Sequence, residues 1–280
     1  MSFDSASLHP AQDANKYTRG KLTVVAGSAR YPGAAALAAR ASQRMGAGYT
    51  EVVTVPRAVD VVRLASPSLV VRPLGEWSAK ELSSVKEGKP CAVCIGPGFE
   101  GSADEADLVA KVLKRAACPV LVDGGGLAAL GASKVVKQLA MRAEKGLPTI
   151  VTPHGGEAAR LAKPYGLSVG DSEQLAAGLS LALHAIVVLK GPDTFVADGK
   201  RVEAMREGTS ALAKAGTGDV LTGMIGGLLA QGCRALDAAR LGVYLHGRAG
   251  EFAERKLGPR SVMARDIIAH IPQAFCETEE

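Results

Sequence analysis

Aromatic side chains are scarce in this chain: they make up 4% of its 280 residues, whereas 47% of the residues are hydrophobic and 33 are glycine. Its core must therefore be built from Ala, Val and Leu, which is typical of parallel α/β proteins. No apolar run approaches the roughly 20 residues of a membrane span. The N-terminus has no basic flank followed by an apolar core, so it does not resemble a signal peptide. We expect a cytoplasmic protein that does not engage a membrane.

Cysteines are also few, and their number is odd: the five are Cys91, Cys94, Cys118, Cys233 and Cys276. Such a scattered set indicates reduced thiols. Cys91 and Cys94 form a C-x-x-C, but strand alternation would point them to opposite faces, so we favour core residues over a metal or redox role. The histidines His9, His184, His246 and His270 show no zinc-site spacing, and we expect no protein-held metal site.

Long runs of like charge are missing, and the net charge is only +5. The balance suits anionic small molecules, and the lack of a Lys/Arg run argues against a nucleic-acid surface. No Gly-Lys-Ser or Gly-Lys-Thr occurs, which excludes a Walker A loop. We therefore expect small anionic ligands and no nucleic acid as partner.

What the chain does have is a regular alternation of apolar, strand-like runs with Ala-rich helical stretches, after a polar arm over residues 1–20. We predict strands over 22–26, 49–55, 69–72, 92–95, 120–123, 149–152, 186–190, 194–197 and 201–204, and helices over 33–45, 58–65, 78–85, 103–117, 156–162, 172–182, 219–231, 235–255 and 264–269. This pattern predicts a mostly parallel sheet covered by helices on both faces, with an antiparallel hairpin around Asp198-Gly199 at one edge. No repeat or linker interrupts residues 21–280, so we expect a single domain there.

The most informative motif is a glycine turn that ends in a carboxylate, Gly216-Thr217-Gly218-Asp219, where a helix should begin. The glycines allow a tight turn, and the amides at the positive end of the helix form an anion site. A carboxylate there would repel a passively bound phosphate. A carboxylate at this position is useful, however, if Asp219 accepts a proton from a hydroxyl while the amides stabilise a phosphoryl group during its transfer. The alternative is that Asp219 merely favours the first turn of its helix.

Five glycine-rich polar segments follow predicted strands, and ligands bind outside the carboxyl ends of parallel strands. One of them, Gly96-Pro-Gly-Phe-Glu-Gly101, matches G-x-G-x-x-G, with Asp123 as the later acid of a dinucleotide-binding dehydrogenase. We disfavour that function because Glu100 would lie beside the pyrophosphate and because the motif around Asp219 would have no role.

Two further residues at strand ends have alternative interpretations. Lys190, followed by Thr194, could bind a nucleotide phosphate, or it is an ordinary exposed hairpin lysine. His154 could donate a hydrogen bond to a substrate oxygen, or it is structural.

Taken together, these segments resemble the ADP- or ATP-dependent NAD(P)H-hydrate dehydratases, a metabolite-repair branch of the ribokinase-like superfamily. The resemblance covers roughly residues 20–270 and rests on Val25-Ala-Gly-Ser, Tyr31-Pro-Gly-Ala-Ala, Ile95-Gly-Pro-Gly, Leu121-Val-Asp, Thr152-Pro-His-Gly-Gly-Glu, Val188-Leu-Lys-Gly, Ala211-Leu-Ala-Lys, Gly216-Thr-Gly-Asp-Val-Leu-Thr-Gly and Tyr244-Leu-His-Gly, in the family's order. The chain departs from the family pattern at Gly124-Gly125-Gly126, at Thr209-Ser210 and at Ala215.

The resemblance implies a ribokinase-like three-layer α/β/α fold and dehydration of the (6S)-hydrate of NADH or NADPH. The reaction would be driven by conversion of ADP to AMP and phosphate with Mg²⁺, and we favour ADP over ATP as the co-substrate. By the family pattern, the catalytic residue is Asp219, and the hydrate is contacted by Ala34, Gly98, His154 and Asp219. The nucleotide is contacted by Lys190, Gly191, Pro192, Asp193, Thr194 and Gly218. The anion hole is formed by Gly216, Thr217 and Gly218. It also implies a homo-oligomer and a separate NAD(P)H-hydrate epimerase, because we expect no epimerase domain in this chain. The alternatives from other classes are a small-molecule kinase of the same superfamily and a non-catalytic nucleotide sensor.

Overall fold

The computed structural model describes residues 9–279. Of the polar arm expected over residues 1–20, residues 1–8 lie outside this described part, and residues 9–20 form turns that lead into the first strand. No helix within the described part is both long and apolar enough to cross a membrane.

Nine strands of the described chain form one sheet, in the order β3-β2-β1-β4-β5-β6-β7-β8-β9. Their bounds are β1 Lys21–Val25, β2 Tyr49–Thr54, β3 Val70–Pro73, β4 Cys91–Ile95, β5 Val120–Val122, β6 Thr149–Val151, β7 Ile186–Leu189, β8 Thr194–Ala197 and β9 Val202–Met205. Strands β1 to β7 are parallel, whereas β7–β8 and β8–β9 pair antiparallel. The predicted parallel sheet with an antiparallel edge hairpin is thereby confirmed.

Helices lie on both faces of this sheet, which confirms the three-layer architecture. They are α1 Pro32–Arg44, α2 Val59–Ala65, α3 Ala103–Arg115, α4 Ser133–Glu144, α5 Gly155–Ala162, α6 Ser172–Leu183, α7 Thr217–Ala230, α8 Ala235–Leu257 and α9 Ala264–Glu279. One buried apolar cluster joins the sheet to α1, α7, α8 and α9, and a second joins it to α3, α4, α5 and α6. The alternation of strand side chains produces this division: Val24 belongs to the first cluster and Val25 to the second.

Helix α7 is the central helix of the first layer, and glycines let it approach its neighbours closely. A Cβ at Gly223 would lie 2.0 Å from the carbonyl oxygen of Ala38 in α1, and one at Gly226 would lie 2.3 Å from the sulfur of Cys94 in β4. Because both distances are far below van der Waals contact, only glycine allows α7 to pack between α1 and the sheet.

Two helical predictions were wrong in extent, and one helix was missed. Helix α4 was missed although Val135 and Leu139 have helical spacing; its Arg142 is buried and donates hydrogen bonds to the carbonyl oxygens of Leu113, Ala116 and Cys118. The helix predicted over 78–85 is only the 3₁₀ turn Ala79–Leu82. Helix α9 extends ten residues beyond its predicted end, running through Pro272 to Glu279.

The cysteines follow the expected alternation. Cys94 is buried in the cluster beside α7, and Cys91 packs against the opposite cluster, so the two thiols of the C-x-x-C point to different faces as predicted. The five cysteines are free thiols.

Candidate active site

The glycine-rich loops meet at the carboxyl edge of the sheet, as predicted. The Gly27 N–H donates to the carbonyl of Pro97 over 2.8 Å, which joins the loops after β1 and β4. The Lys190 N–H donates to the carbonyl of Pro153 over 2.8 Å, which joins the loops after β7 and β6. The strand order reverses at β1, which pairs with both β2 and β4. Such a switch point opens the crevice in which α/β proteins bind ligands.

Helix α7 begins at this edge with the glycine turn. Gly216 is the residue before the helix and has φ 92°, and the helix starts at Thr217, two residues earlier than predicted. The Thr217 hydroxyl donates to the carbonyls of Leu212 and Lys214 over 2.7 and 2.9 Å, so this side chain holds the turn together. The first turn of a helix leaves its N–H groups without intrahelical acceptors, and these amides give the site its anion-binding character.

A buried histidine supports the start of α7 from α8. His246 Nε2 lies 3.0 Å from the carbonyl oxygen of Thr217. Burial lowers the pKa of His246 to about 4 despite that hydrogen bond, so the ring is neutral at pH 7 and its Nε2–H donates to the carbonyl. His246 lies in the Tyr244-Leu-His-Gly segment of the family resemblance, but the sequence did not predict this supporting contact.

A buried ion pair lies beside the turn. Lys190 Nζ is 2.9 Å from Oδ1 of Asp123, whose carboxylate also accepts hydrogen bonds from the hydroxyls of Thr152 and Thr222 at 2.7 Å each. Burial alone would raise the pKa of Asp123, but the charge of Lys190 and these hydrogen bonds hold it below its ordinary value. Burial would likewise lower the pKa of Lys190, but Asp123 holds it above its ordinary value. Both groups are charged at neutral pH.

Asp219 lies in the first turn of α7, close to this ion pair. Burial, together with the negative charge of Asp123, raises the pKa of Asp219 to about 7, and Lys190 opposes the shift. A Cβ at Gly218 would lie 3.3 Å from Lys190 Nζ, so the ammonium group reaches the start of α7. The Thr217 N–H already donates to the Lys214 carbonyl over 3.4 Å, and the amides of the next residues in the first turn have no intrahelical acceptor. A half-buried carboxylate that titrates near neutral pH, next to a fixed cation and these amides, is suited to general base catalysis on a substrate that develops negative charge.

His154 caps α5 and forms an isolated parallel bridge with Lys190. Its ring Nδ1 accepts a hydrogen bond from the backbone N–H of Gly156 over 3.0 Å, and the Glu157 carboxylate accepts one from the backbone N–H of His154 over 2.8 Å. Since Nδ1 is an acceptor, the neutral ring carries its proton on Nε2, and the side chain is 58% exposed. The His154 side chain therefore has a structural role as the cap of α5, and its Nε2–H stays available to a ligand or to Glu157.

The remaining predicted substrate residues, Ala34 and Gly98, lie next to each other. Gly98 has φ 72°, and a Cβ there would lie 2.8 Å from the Ala34 Cβ and 2.7 Å from the Tyr31 carbonyl oxygen. Beside them, a cavity of about 940 Å³ extends along the carboxyl ends of β1 and β2. Its lining includes Gly27, Ser28, Arg57, Trp77, Phe99 and Lys111. This volume lies in the usual range for small-molecule sites.

Of the predicted nucleotide-binding residues, Gly218 lies in the first turn of α7, and the others lie at the turn between β7 and β8. Gly191, Pro192 and Asp193 are exposed, Thr194 is half-buried, and only Lys190 reaches into the ion pair with Asp123. Within the described residues there is no group of three or more His, Cys, Asp or Glu side chains arranged to hold a metal ion.

The dinucleotide fingerprint does not form a phosphate site at α3. The Glu105 carboxylate accepts the N–H groups of Glu100 and Ser102 at the start of that helix, which are the amides that a pyrophosphate would need. The acid proposed for the ribose, Asp123, instead binds Lys190. The structure therefore argues against the dehydrogenase alternative.

The three glycines that follow Asp123 allow two loops to touch. A Cβ at Gly125 would lie 2.2 Å from the Phe99 carbonyl oxygen, and one at Gly126 would lie 2.9 Å from Gly96 Cα. These glycines, where the chain departs from the family pattern, thus allow the backbones of the loops after β4 and β5 to pack closely. At another departure, the Thr209 hydroxyl accepts the Ala211 N–H over 3.1 Å and begins a short 3₁₀ turn.

Comparison with known proteins gives consistent matches. The model of a protein family described as NAD(P)H-hydrate dehydratase matches residues 22–273. The ADP-dependent (S)-NAD(P)H-hydrate dehydratase of Xanthomonas campestris is 34% identical over 94% of this chain and 90% of its own length. The crystal structure of the ADP/ATP-dependent NAD(P)H-hydrate dehydratase from Bacillus subtilis, co-crystallised with ATP/Mg²⁺, superposes with a TM-score of 0.82 at 29% identity, covering 96% of this chain and 94% of that one. A ribokinase-like superfamily protein from Enterococcus faecalis has a TM-score of 0.76 at 22% identity over 99% of this chain and 95% of its own, which shows the shared fold alone.

Proposed function

This chain belongs to the NAD(P)H-hydrate dehydratase family, and from that premise we propose that it converts (6S)-NADHX and (6S)-NADPHX back to NADH and NADPH while ADP is converted to AMP and phosphate. The observation that carries the proposal is the state of Asp219, a half-buried carboxylate with a pKa of about 7 at the first turn of α7. A group in that state can take a proton at neutral pH, whereas an ordinary aspartate is a much weaker base.

The chemical difficulty is that hydroxide is a poor leaving group at neutral pH, whereas phosphate is a good one. Asp219 accepts the proton of the hydrate's hydroxyl group as that oxygen attacks the terminal phosphorus of ADP. The bond between this phosphorus and the bridging oxygen breaks, and AMP leaves. The ring nitrogen then donates its electron pair and expels phosphate, and loss of a proton from the neighbouring ring carbon restores the nicotinamide.

Charge on the phosphoryl group is met by fixed positive groups of this chain. The amides around Gly216, Thr217 and Gly218 point from the start of α7, where the helix dipole favours negative charge. Lys190 is held by Asp123 next to Gly218, so it needs no rearrangement to meet the nucleotide. We place Gly191, Pro192, Asp193 and Thr194 against the rest of the nucleotide, on the turn that begins at Lys190.

The hydrate itself is proposed to lie against Ala34, Gly98 and His154. Gly98 packs so closely against Ala34 that it has no room for a side chain, and His154 Nε2–H can donate to an oxygen of the substrate. The cavity of about 940 Å³ beyond Gly27 offers room for the remainder of a dinucleotide, and its lining carries both the cations Arg57 and Lys111 and the carboxylates of Glu100, Asp104, Glu105 and Asp107.

Mg²⁺ fits this site only as an ion that the nucleotide carries. The Asp123 carboxylate is already engaged by Lys190, Thr152 and Thr222, and the described residues offer no cluster of three donors. Mg²⁺ at such sites is typically bound by the phosphates and by one or two carboxylates, and since Asp219 is the proposed base, the ion would be held here mainly by the phosphates. Bound there, the ion would offset negative charge on the phosphates.

Several finer properties belong to the same proposal: a single dehydratase domain over residues 21–280, a cytoplasmic location, a homo-oligomeric state and a separate epimerase as functional partner. The exposed apolar side chains of Val61 and Leu64 on α2, 45% and 87% exposed, support self-association. Size-exclusion chromatography with light scattering tests this, and a monomer at micromolar concentration would contradict it.

The experiment for the function is recovery of near-ultraviolet nicotinamide absorbance from purified NADHX with ADP, with ATP and without nucleotide. We expect recovery only with a nucleotide, one phosphate released per turnover, and ADP as the better co-substrate. No recovery from a folded protein that binds ADP would refute the dehydratase. A stable phosphorylated product from an alcohol substrate would instead identify the chain as a kinase of the same superfamily.

A further inference from the structure

Two cysteines that lie far apart in the sequence meet at the amino edge of the sheet, opposite the candidate active site. Cys91 is the first residue of β4, and Cys118 lies two residues before β5. In the parallel pairing of these strands Val93 is opposite Val120, and each cysteine precedes its valine by two residues. Because side chains alternate along a strand, both thiols point to the face of these valines, and both pack in the second apolar cluster.

The two thiols influence each other's ionisation. The neighbouring Cys118 thiol and the positive charge of Lys21 lower the pKa of Cys91 to about 7, against the effect of burial. Lys21 is the register partner of Cys91 on β1. The neighbouring Cys91 thiol, together with burial, raises the pKa of Cys118. Cys91 is half-buried and Cys118 is buried, so the more acidic thiol is also the more accessible one.

The spacing of the strands suits a covalent bond between the two. Neighbouring strands lie about 4.7–4.9 Å apart, and disulfides join Cα atoms separated by about 4.4–6.8 Å. Reactive dithiol sites have this arrangement: an accessible thiol with a lowered pKa next to a second thiol that can displace the first adduct. Cys94, by contrast, points to the other face of the sheet and cannot join the pair.

We propose that Cys91 and Cys118 form a reversible disulfide by exchange with a low-molecular-weight disulfide of the glutathione type. The Cys91 thiolate attacks one sulfur of the small disulfide, forming a mixed disulfide and releasing one small thiolate. The Cys118 sulfur, losing its proton, then attacks the Cys91 sulfur and releases the second small thiolate. Two protein thiols are oxidised, the small disulfide is reduced to two thiols, and the two protons pass to the released thiolates through solvent.

The test uses the full chain in a Cys276→Ser background, because Cys276 is exposed and would react on its own. The protein is incubated with excess glutathione disulfide, quenched with acid, unfolded and alkylated, and its thiols are counted by mass spectrometry. We expect two of the four remaining thiols to be lost, one linked peptide pair containing Cys91 and Cys118, and full reversal by reduced glutathione. Cys233→Ser is the matched control and should still lose two thiols.

Single substitutions separate the two chemical steps. Cys118→Ala should stop the reaction at a mixed disulfide, with one glutathione attached to Cys91, and Cys91→Ser should abolish both the adduct and the linked pair. Circular dichroism before oxidation verifies that each variant is folded. The proposal is overturned if all four thiols remain alkylatable, or if the parent protein stops at a glutathione adduct on Cys91 while Cys118 stays free.

Discussion

Replacing Asp219 with asparagine should make the protein more stable and far less active at the same time. Asparagine keeps the size of the side chain and removes the charge that burial and Asp123 disfavour. The pKa of Asp219 is raised from 3.8 to about 7 in the folded protein. A difference of about three in pKa corresponds to about 4 kcal/mol, and partial exposure of the side chain reduces the expected gain to about 2 kcal/mol.

The pH dependence of this gain follows from the sign of the shift. A carboxyl group with a raised pKa in the folded state costs stability only where the unfolded chain would ionise it. The advantage of Asp219→Asn should thus be absent below pH 4, grow as the pH rises to about 7, and stay constant above it. Turnover should fall by about 10²–10⁴-fold, the usual contribution of a general base.

Urea unfolding at pH 4, 6 and 8 measures the free energy of unfolding, with fluorescence of Trp77, the only tryptophan and a buried one, as the signal. Asp60→Asn is the control, because the Asp60 side chain is 88% exposed and should show neither effect. An Asp219→Asn protein that is no more stable than the parent at pH 8 would refute the charge argument. Activity near that of the parent would remove Asp219 from the mechanism.

Three further substitutions test the surroundings of this residue. Asp123→Asn should move the lower-pH limb of kcat/KM to below pH 7, since the charge of Asp123 helps to raise the pKa of Asp219; an unchanged limb would contradict this coupling. Lys190→Ala should raise the KM for the nucleotide about tenfold, more than the KM for the hydrate, because a charged hydrogen-bond donor to phosphate is lost; equal increases would indicate a fold defect. Gly223→Ala should cost about 3 kcal/mol in urea unfolding because its Cβ meets the α1 backbone, whereas Gly33→Ala, with nothing within 4 Å, should be neutral or stabilising; similar effects of the two would refute the packing argument.

Local sequence patterns were sufficient to predict the layers of this fold and the position of its glycine turn. The short apolar runs of the strands and the glycine turn from Gly216 to Asp219 are recognisable from a few neighbouring residues, and the structure places both close to where they were predicted. The burial of Arg142 in α4 could not be predicted in this way, because its hydrogen-bond acceptors are carbonyls of residues distant in the sequence.

The electrostatics of the site could not be predicted for a similar reason. Asp123 and Lys190 end two strands of the sheet that are not neighbours, and their pairing depends on the strand order and on the hydroxyls of Thr152 and Thr222. The raised pKa of Asp219 follows from that arrangement, so the sequence could name the carboxylate but not its protonation behaviour.

The glycine packing of α7 has a consequence for how this protein loses activity. Hydrogen exchange is slowest in elements that open only when the whole domain unfolds, and α7, enclosed by α1, α8 and the sheet, has the contacts of such an element. The base at its first turn is thus attached to the last part of the molecule to open rather than to a mobile loop. On heating, the amides of α7 should keep their protection for as long as catalysis persists, and inactivation should coincide with global melting.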